Sequence, residues 1–217
     1  MGKSFAVFGM GRFGRKLATS LYDMGADVMI VDKDPELLEK LSGKATFAIE
    51  ADLSNADAIN GLGLENTDVV VVAMGSDLTA SIMSVMVSKE IGVPYVIAKA
   101  SDERMGNILR KVGANEVIFP EEEAGFRTAR ILLSDTFLEF FDIDDNLCLL
   151  EMKAKKEWIG KNLIELNLRE KYHINVVAMK GSDRGRMHSS FDPKLPLEAD
   201  TQLLVVVKKA DLKKLEM

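Results

Sequence analysis

The sequence predicts an α/β protein with a doubly wound parallel sheet of the Rossmann type, a crossover helix and a second, smaller α/β domain. Two observations support this prediction. Short β-rich runs alternate with helical patterns of about 8–15 residues, which is typical of βαβ units. In addition, the glycine pattern G-x-G-x-x-G directly follows the first β-rich run. The length of 217 residues allows one large domain and one small one.

Six strands are predicted in the first part of the chain, at residues 5–9, 28–32, 45–48, 69–74, 96–100 and 117–119. Helices between them are predicted at residues 12–24, 35–42, 56–63, 78–91 and 103–112. The fourth strand is apolar at consecutive positions, as expected when both faces of a strand are buried. Six strands with a longer connection after the third fit two mononucleotide-binding halves.

A long helical pattern at residues 121–141 follows the sixth strand. It carries a largely aromatic stripe at helical spacing, which consists of Phe126, Arg130, Leu133, Phe137, Phe140 and Phe141. Two interpretations are open at this point. Either the stripe closes the core of the parallel sheet, or it belongs to a protruding helix that packs on a second subunit.

The run DIDDN at residues 142–146 is predicted to end this helix, and a domain boundary is predicted at the same place. Residues 1–141 contain 14 Lys and Arg against 21 Asp and Glu, whereas residues 142–217 contain 14 against 13. The smaller domain is predicted to have strands at residues 147–152, 174–179 and 203–207, a helix at 162–168, a polar loop at 181–186 and a short terminal helix. We therefore expect a nucleotide-binding domain over residues 1–141 and a small second domain over residues 142–217.

The composition excludes several classes of protein. A net charge of −6 argues against a nucleic-acid partner, because neutralising phosphates requires a basic face. One Cys and two His are too few for a disulfide framework or for a Cys-rich or multi-His metal site. The apolar runs are far shorter than the roughly 20 residues that span a bilayer, and the amino terminus lacks a signal-peptide pattern. We expect a cytoplasmic protein.

The glycine pattern consists of Gly9, Gly11 and Gly14. In such a loop the first glycine allows a tight turn, the second lets a pyrophosphate approach the backbone, and the third allows close packing of helix on strand. Asp32 ends the next strand, where its carboxylate can accept hydrogen bonds from a ribose diol and would repel a 2′-phosphate. Arg12 lies inside the loop, and its guanidinium can reach phosphate oxygens, including a terminal phosphate.

Segments after the third, fourth and fifth strands are expected at the same cleft, because the carboxyl ends of parallel strands face the ligand. Each segment alone is equally compatible with an ordinary turn or helix cap. The candidate cofactor-binding residues are Gly9, Gly11, Arg12, Phe13, Gly14, Asp32, Lys33, Ala51, Asp52, Leu53, Gly75, Ser76 and Lys99.

The larger domain lacks the residues that hydride chemistry favours. Residues 1–141 contain neither His nor Cys, although hydride-transfer enzymes usually need a proton donor or acceptor beside the nicotinamide. We therefore expect a sensor that binds a nucleotide and not an enzyme. A small NAD-dependent oxidoreductase is the alternative. A redox-sensing transcriptional regulator is a third interpretation, against which the lack of a basic helix-turn-helix segment argues.

Four segments carry a family resemblance. They are FAVFGMGRFG at residues 5–14, EADLSN at 50–55, KVGANEVIFPEEEAG at 111–125, and the tail from CLLEMKAKKEWIGKNLIELNLREKYHINVVAMK to DTQLLVVVKKADL. Together they resemble the RCK/KTN regulators of potassium channels and transporters, which include the cytosolic subunits of Ktr and Trk systems. The tail resembles the RCK_C domain of that family.

The resemblance implies a regulatory subunit whose homodimers assemble into an octameric ring under a membrane-embedded potassium transporter, at the inner face of the cell membrane. It implies that ATP/ADP or NAD(H) binds in the Rossmann cleft and gates K⁺ flux by changing the shape of the ring. Arg12 would then meet the terminal phosphate across the dimer, Asp32 would contact the ribose, and Lys99 would line the cleft.

The resemblance also implies two further ligands. One is a divalent cation at the dimer interface, bound by Glu121; the alternative is that this residue only supplies favourable acidic charge at a helix start. The other is cyclic di-AMP at the C-terminal domain, for which Arg169 and Asn175 are the candidates.

Overall fold

The structure of the protein is a computed structural model that describes residues 2–181 and 185–216. The chain forms two compact units, Met1–Glu121 and Glu122–Met217, called the N-terminal and C-terminal units below. The predicted boundary at residue 142 falls inside the C-terminal unit, because a strand that precedes it pairs within that unit. The middle of the predicted loop at 181–186, residues 182–184, lies outside the described residues.

The N-terminal unit contains a six-stranded parallel sheet in the order β3-β2-β1-β4-β5-β6, as predicted for two mononucleotide-binding halves. Its strands are β1 (Ser4–Phe8), β2 (Asp27–Asp32), β3 (Phe47–Glu50), β4 (Val69–Val72), β5 (Tyr95–Lys99) and β6 (Glu116–Ile118). Its helices are α1 (Arg12–Asp23), α2 (Pro35–Leu41), α3 (Ala56–Asn60), α4 (Leu78–Ile91) and α5 (Glu103–Val112), and α6 (Pro120–Leu132) begins at its end.

Both faces of this sheet are covered by helices. Along β1, Ala6 and Phe8 belong to one apolar core, whereas Val7 belongs to a second core that includes Ala18 of α1 and Leu38 of α2. All four residues of β4 are buried, as expected from their uninterrupted apolar run. Burial of both faces fixes the central strands, so the loops at their carboxyl ends are held on a rigid base.

The C-terminal unit contains a four-stranded antiparallel sheet in the order β7-β8-β10-β9. Its strands are β7 (Phe137–Asp142), β8 (Leu147–Lys153), β9 (Ile174–Lys180) and β10 (Gln202–Lys208), and its short helices are α7 (Leu163–Leu166), α8 (Leu168–Tyr172) and α9 (Lys213–Glu216). Trp158, Leu150 and Leu203 are among the fully buried side chains of its core. Burial also raises the pKa of the Cys148 thiol in β8 to about 11.

The long helix predicted at residues 121–141 is wrong in its second half. The helix α6 ends at Leu132, and β7 begins at Phe137. A register shift between Phe137 and Glu139 marks a bulge in the pairing of β7 with β8. In a regular strand, residues three apart point to opposite faces, but the bulge lets Phe137 and Phe140 both enter the core, at 4% and 3% exposure.

The residues of the aromatic stripe lie in two different environments. Phe137 and Phe140 close the core of the C-terminal unit and not that of the parallel sheet. Phe126 and Leu133 are exposed within the described chain.

The single helix predicted at residues 162–168 is divided in the structure, because Asn167 takes a left-handed conformation (φ 45°) that separates α7 from α8. No helix within residues 2–181 and 185–216 is long and apolar enough to cross a membrane.

Candidate functional site

A cavity of about 750 Å³ opens in the N-terminal unit, beside the carboxyl ends of the parallel strands. All the predicted cofactor-binding residues except Gly14 line it. Its lining also includes Ala73, Met74, Asp77, Ala80, Ser101 and Glu121. Ala73, Ala80 and Ser101 were not predicted as candidates, although Ala73 directly follows β4 and Ser101 lies just after β5. The ends of the predicted strands were the signal that could have identified Ala73 and Ser101, whereas Ala80 lies in the first turn of α4.

The glycine loop between β1 and α1 has the close approaches that its motif predicts. A Cβ atom on Gly14 would lie 2.0 Å from the Gly9 carbonyl oxygen, so a side chain at this position would force the loop away from α1. Gly9 has φ +91°, and a Cβ there would meet the Met74 side chain at 2.4 Å. Gly11, in contrast, has no atom within 4 Å of its Cβ position and leaves open space above the backbone.

The start of α1 differs from the starts of the neighbouring helices. Helices α2, α3, α4 and α5 are capped by the side chains of Asp34, Asn55, Asp77 and Asp102, which accept backbone N–H groups. Helix α1 follows Gly11, which provides no side-chain cap, and its first turn contains no acidic residue. Its N–H groups and partial positive charge are therefore left for an anion in the cavity.

Asp32 connects the end of β2 to the glycine loop. One carboxylate oxygen accepts a hydrogen bond from the backbone N–H of Met10 at 2.5 Å, and the other accepts one from the N–H of Asp34 at 3.0 Å. These bonds fix the carboxylate at the edge of the cavity, where its remaining lone pairs can accept hydroxyl protons.

Asp52 provides a second fixed carboxylate, after β3. Its Oδ1 accepts the backbone N–H of Ser54 at 2.9 Å and the Ser54 hydroxyl at 2.7 Å. These two hydrogen bonds hold the pKa of Asp52 below its ordinary value. The carboxylate is therefore ionised at neutral pH and presents only acceptors to the cavity.

Lys99, at the end of β5, forms the one ion pair among the described cavity residues. Its Nζ lies 2.5 Å from Oε1 of Glu121. The hydrogen bond from Lys99 is the main reason that the pKa of Glu121 is lowered. Arg12 and Lys33 have no ion pair within residues 2–181 and 185–216. Two cations that form no ion pair among the described residues therefore face a cavity that also receives the start of α1.

The predicted metal-binding role of Glu121 finds no complete donor set in a single chain. No group of three or more His, Cys, Asp or Glu side chains in the described part of the chain could hold a metal ion. Glu121 is instead engaged by Lys99. The residues of one chain therefore do not fit a divalent cation, and a cation site shared by two copies stays a prediction.

A smaller cavity of about 310 Å³ lies in the C-terminal unit, between α7, α8 and β9. Its lining is mostly apolar and includes Leu163, Ile164 and Phe191. Arg169, one of the two residues predicted to contact a second ligand, lines this cavity. Asn175, the other predicted residue, is exposed and is not part of the lining.

Comparison with known proteins identifies the family. The family model of the TrkA-N domain matches residues 5–120, and that of the TrkA-C domain matches residues 149–217. The chain belongs to the TrkA family. The two matches account for both units and confirm the resemblance that the sequence motifs indicated.

Curated relatives of this TrkA-family chain include two proteins of Bacillus subtilis. The "Ktr system potassium uptake protein C" is 34% identical over 83% of this chain and 81% of its own length. The "Ktr system potassium uptake protein A" is 31% identical over 99% of this chain and 96% of its own length. These relatives are similar to the chain across both of its units.

Solved structures confirm the fold. The structure titled "Crystal Structure of the GsuK RCK domain" superposes over 100% of this chain with a TM-score of 0.67 at 18% identity. The "GsuK channel bound to NAD" gives the same TM-score and identity. This TrkA-family chain spans 47% and 39% of the length of those two chains. At this level of identity the comparison establishes the Rossmann sheet and the second, antiparallel unit, but no ligand.

Proposed function

We propose that this protein is the regulatory subunit of a Ktr- or Trk-type potassium uptake system and that it senses an adenine nucleotide. The observation that carries this proposal is the cavity of the N-terminal unit. An uncapped helix start, two cations without an ion pair in the described chain, and two fixed carboxylates meet there at the carboxyl ends of a parallel sheet. This combination suits a ligand with a ribose diol and several phosphates.

The cavity supports one orientation of the nucleotide. Phosphates would lie over Gly11 at the start of α1, where the backbone is accessible, and Arg12 would donate to the terminal phosphate as a planar fork. Asp32 would accept the ribose hydroxyls. Asp52 and its neighbour Leu53 would face the base. ATP/ADP and NAD(H) both satisfy these contacts.

Regulation would follow from differential binding. We infer a potassium uptake system from the names of the relatives. The partner of this chain would be a membrane transporter subunit, which it would bind at the cytoplasmic face of the membrane. Homodimers that assemble into an octameric ring would change shape with the bound nucleotide. A nucleotide shifts such a ring only if it binds the two shapes with different affinity.

The first test determines which nucleotide binds and whether Arg12 contacts its phosphates. Mass spectrometry of the co-purifying nucleotide, together with the measured oligomer size, would distinguish ATP/ADP from NAD(H). Arg12→Ala is expected to weaken ATP binding by about 10- to 100-fold, the usual range for one lost charged hydrogen bond, with a much smaller effect on adenosine. Isothermal titration calorimetry measures both affinities.

The matched control is Arg15→Ala. Arg15 is exposed on the same helix, one turn further on, and does not line the cavity. Its substitution removes the same charge and should leave ATP affinity nearly unchanged. Equal losses for ATP and adenosine in Arg12→Ala would show that Arg12 is not a phosphate ligand.

The second candidate function is a small NAD-dependent oxidoreductase, which the glycine loop and Asp32 also fit. The described lining of the cavity contains no His, Cys or Tyr side chain to exchange a proton with a substrate. Incubation with NADH or NADPH and candidate carbonyl substrates tests this function directly. Sustained turnover would overturn the proposal of a sensor.

We also propose a second ligand in the C-terminal unit, of the cyclic di-AMP type. The observation that favours it is the apolar cavity next to Arg169, because an apolar wall and a single cation suit a base and a phosphate. Titration with cyclic di-AMP, monitored by the fluorescence of Trp158, tests it. Saturable binding that Arg169→Ala abolishes is the expected result.

A further inference from the structure

Lys99 is held inside the cavity by three independent contacts. Its Nζ pairs with Glu121 at 2.5 Å and lies 5.9 Å from the ring centroid of Phe13 in the glycine loop. Its stem passes over Gly75, where an added Cβ would lie only 3.2 Å from Lys99 Cε. The Lys99 side chain is 14% exposed. It therefore reaches from β5 to both the glycine loop and the start of α6.

Lys99 forms a direct ion pair, whereas the other cavity cations form none within the described chain. Asp32 and Asp52 accept hydrogen bonds from backbone or hydroxyl groups, and Asp77 caps α4. None of these three carboxylates pairs with a cation within residues 2–181 and 185–216. Glu121 is thus the acidic group that neutralises a cation directed at the phosphate region.

We propose that Glu121 is a positioning residue that sets the affinity of the cavity for polyphosphates, because it holds Lys99 in an ion pair with which an entering phosphate must compete. This inference rests on the proposed nucleotide site and adds a determinant of selectivity to it. An ammonium group is a compact charge that can be drawn from one anion to another. A ligand with more phosphates competes more strongly, whereas a nucleoside does not compete.

The competition for Lys99 also changes the electrostatic environment at the start of α6. Glu121 is the second residue of α6, the helix that continues into the C-terminal unit. When a polyphosphate draws Lys99 away, the carboxylate at the start of this helix loses its partner. Ligands that differ only in phosphate number therefore leave Glu121 in different electrostatic states.

The test compares Glu121→Gln with wild type by titration calorimetry against adenosine, ADP and ATP, in EDTA at low salt. Loss of the competing carboxylate is expected to tighten ADP and ATP binding by about three- to fivefold, the value of one partly exposed ion pair. Adenosine affinity should not change. The gain should shrink as salt is added, because the interaction is screened.

Glu122→Gln is the matched control, since it removes the same charge from the next, exposed residue. It should alter polyphosphate affinity by less than half as much. The double variant Glu121→Gln with Lys99→Met should show no gain over Lys99→Met alone. That non-additivity identifies the ion pair, which a general loosening of the helix would not do.

Three results would overturn the inference. Unchanged or weaker polyphosphate affinity of Glu121→Gln in EDTA is the first. An equal gain for adenosine is the second, because it would indicate a structural effect. A full gain from Glu121→Gln in the Lys99→Met background is the third, because it would show that Lys99 does not mediate the effect. Failure of the nucleotide proposal itself is separate: wild-type protein would then bind neither adenosine nor ATP.

Discussion

The two units differ in where the strands of their sheets end. In the parallel sheet every strand ends at the same edge, so β1, β2, β3, β4 and β5 all deliver loops to one cavity. In the antiparallel sheet neighbouring strands end at opposite edges, and its smaller cavity lies against two short helices and β9. The N-terminal unit therefore brings polar side chains together at one edge of its sheet, whereas the structure of the C-terminal unit depends chiefly on the packing of apolar side chains.

The largest expected effect is on packing in the C-terminal unit. Phe140 is 3% exposed, and its ring lies 4.4 Å from the Arg130 guanidinium. Phe140→Ala removes a buried ring from β7 and is expected to lower the free energy of unfolding of this unit by about 3–5 kcal/mol. Urea unfolding monitored by Trp158, which is buried in the same core, measures this change.

Phe126→Ala is the control for the aromatic contact alone. The ring of Phe126 also lies over Arg130, with its centroid 4.6 Å from the guanidinium carbon, but Phe126 is 54% exposed. Its loss should lower the free energy of unfolding by no more than about 1 kcal/mol. If the two variants are equally destabilised, the stack on Arg130 and not core burial holds β7. Nucleotide affinity in the N-terminal unit should be unaffected by Phe126→Ala.

The second prediction concerns the N-terminal unit. Gly14→Ala places a Cβ 2.0 Å from the Gly9 carbonyl oxygen, so either the loop or α1 must move. We expect a loss of about 1–3 kcal/mol in the free energy of unfolding, together with loss of nucleotide binding. Hydrogen exchange of the β1 amides reports the first quantity, and calorimetry with ATP reports the second.

Gly11→Ala separates the two consequences. Its Cβ position is open and its φ of −62° suits any residue, so the free energy of unfolding should change by less than about 0.5 kcal/mol. Nucleotide binding should nevertheless be lost, because the methyl group occupies the space over which phosphates would lie. Wild-type affinity in Gly11→Ala would place the phosphates elsewhere.

The same contrast explains what could be predicted from the sequence. In the N-terminal unit the described left-handed turns occur at glycines, such as Gly9, Gly92 and Gly113. Glycine therefore marks these turns in the sequence. With the turns marked, the spacing of strands and helices was enough to predict the strand order and nearly all candidate site residues. The Lys99–Glu121 ion pair did not follow, since the two residues are 22 positions apart and only the folded sheet brings them together.

In the C-terminal unit, the two turns that limit α8 lack such marks. The left-handed residues Asn167 and His173 limit α8 but are not glycines, so the sequence at 162–168 is typical of one continuous helix. The bulge in β7 spaces Phe137 and Phe140 by three residues on one face, which imitates helical periodicity. Tertiary packing, and not local pattern, determines both features.

The smallest expected effect tests whether these unmarked turns are strained. His173 has φ +59°, and its side chain is 55% exposed, with Nδ1 3.9 Å from Asp211. A left-handed conformation costs a non-glycine residue about 1–2 kcal/mol, whereas glycine loses about 0.5–1 kcal/mol more in entropy on folding. His173→Gly should therefore raise the free energy of unfolding by about 0.5 kcal/mol. Urea unfolding monitored by Trp158, at a salt concentration that screens the Asp211 contact, measures the change.

His188→Gly is the appropriate comparison, because His188 lies in the same unit, is exposed, and is not among the positive-φ residues of the described chain. With no strain to relieve, only the entropic loss remains, and this variant should be destabilised by about 0.5–1 kcal/mol. The two substitutions are chemically identical, so opposite signs would isolate backbone conformation as the cause. Destabilisation of both by the same amount would show that packing around α8 stabilises the left-handed turn at His173 more than a glycine could.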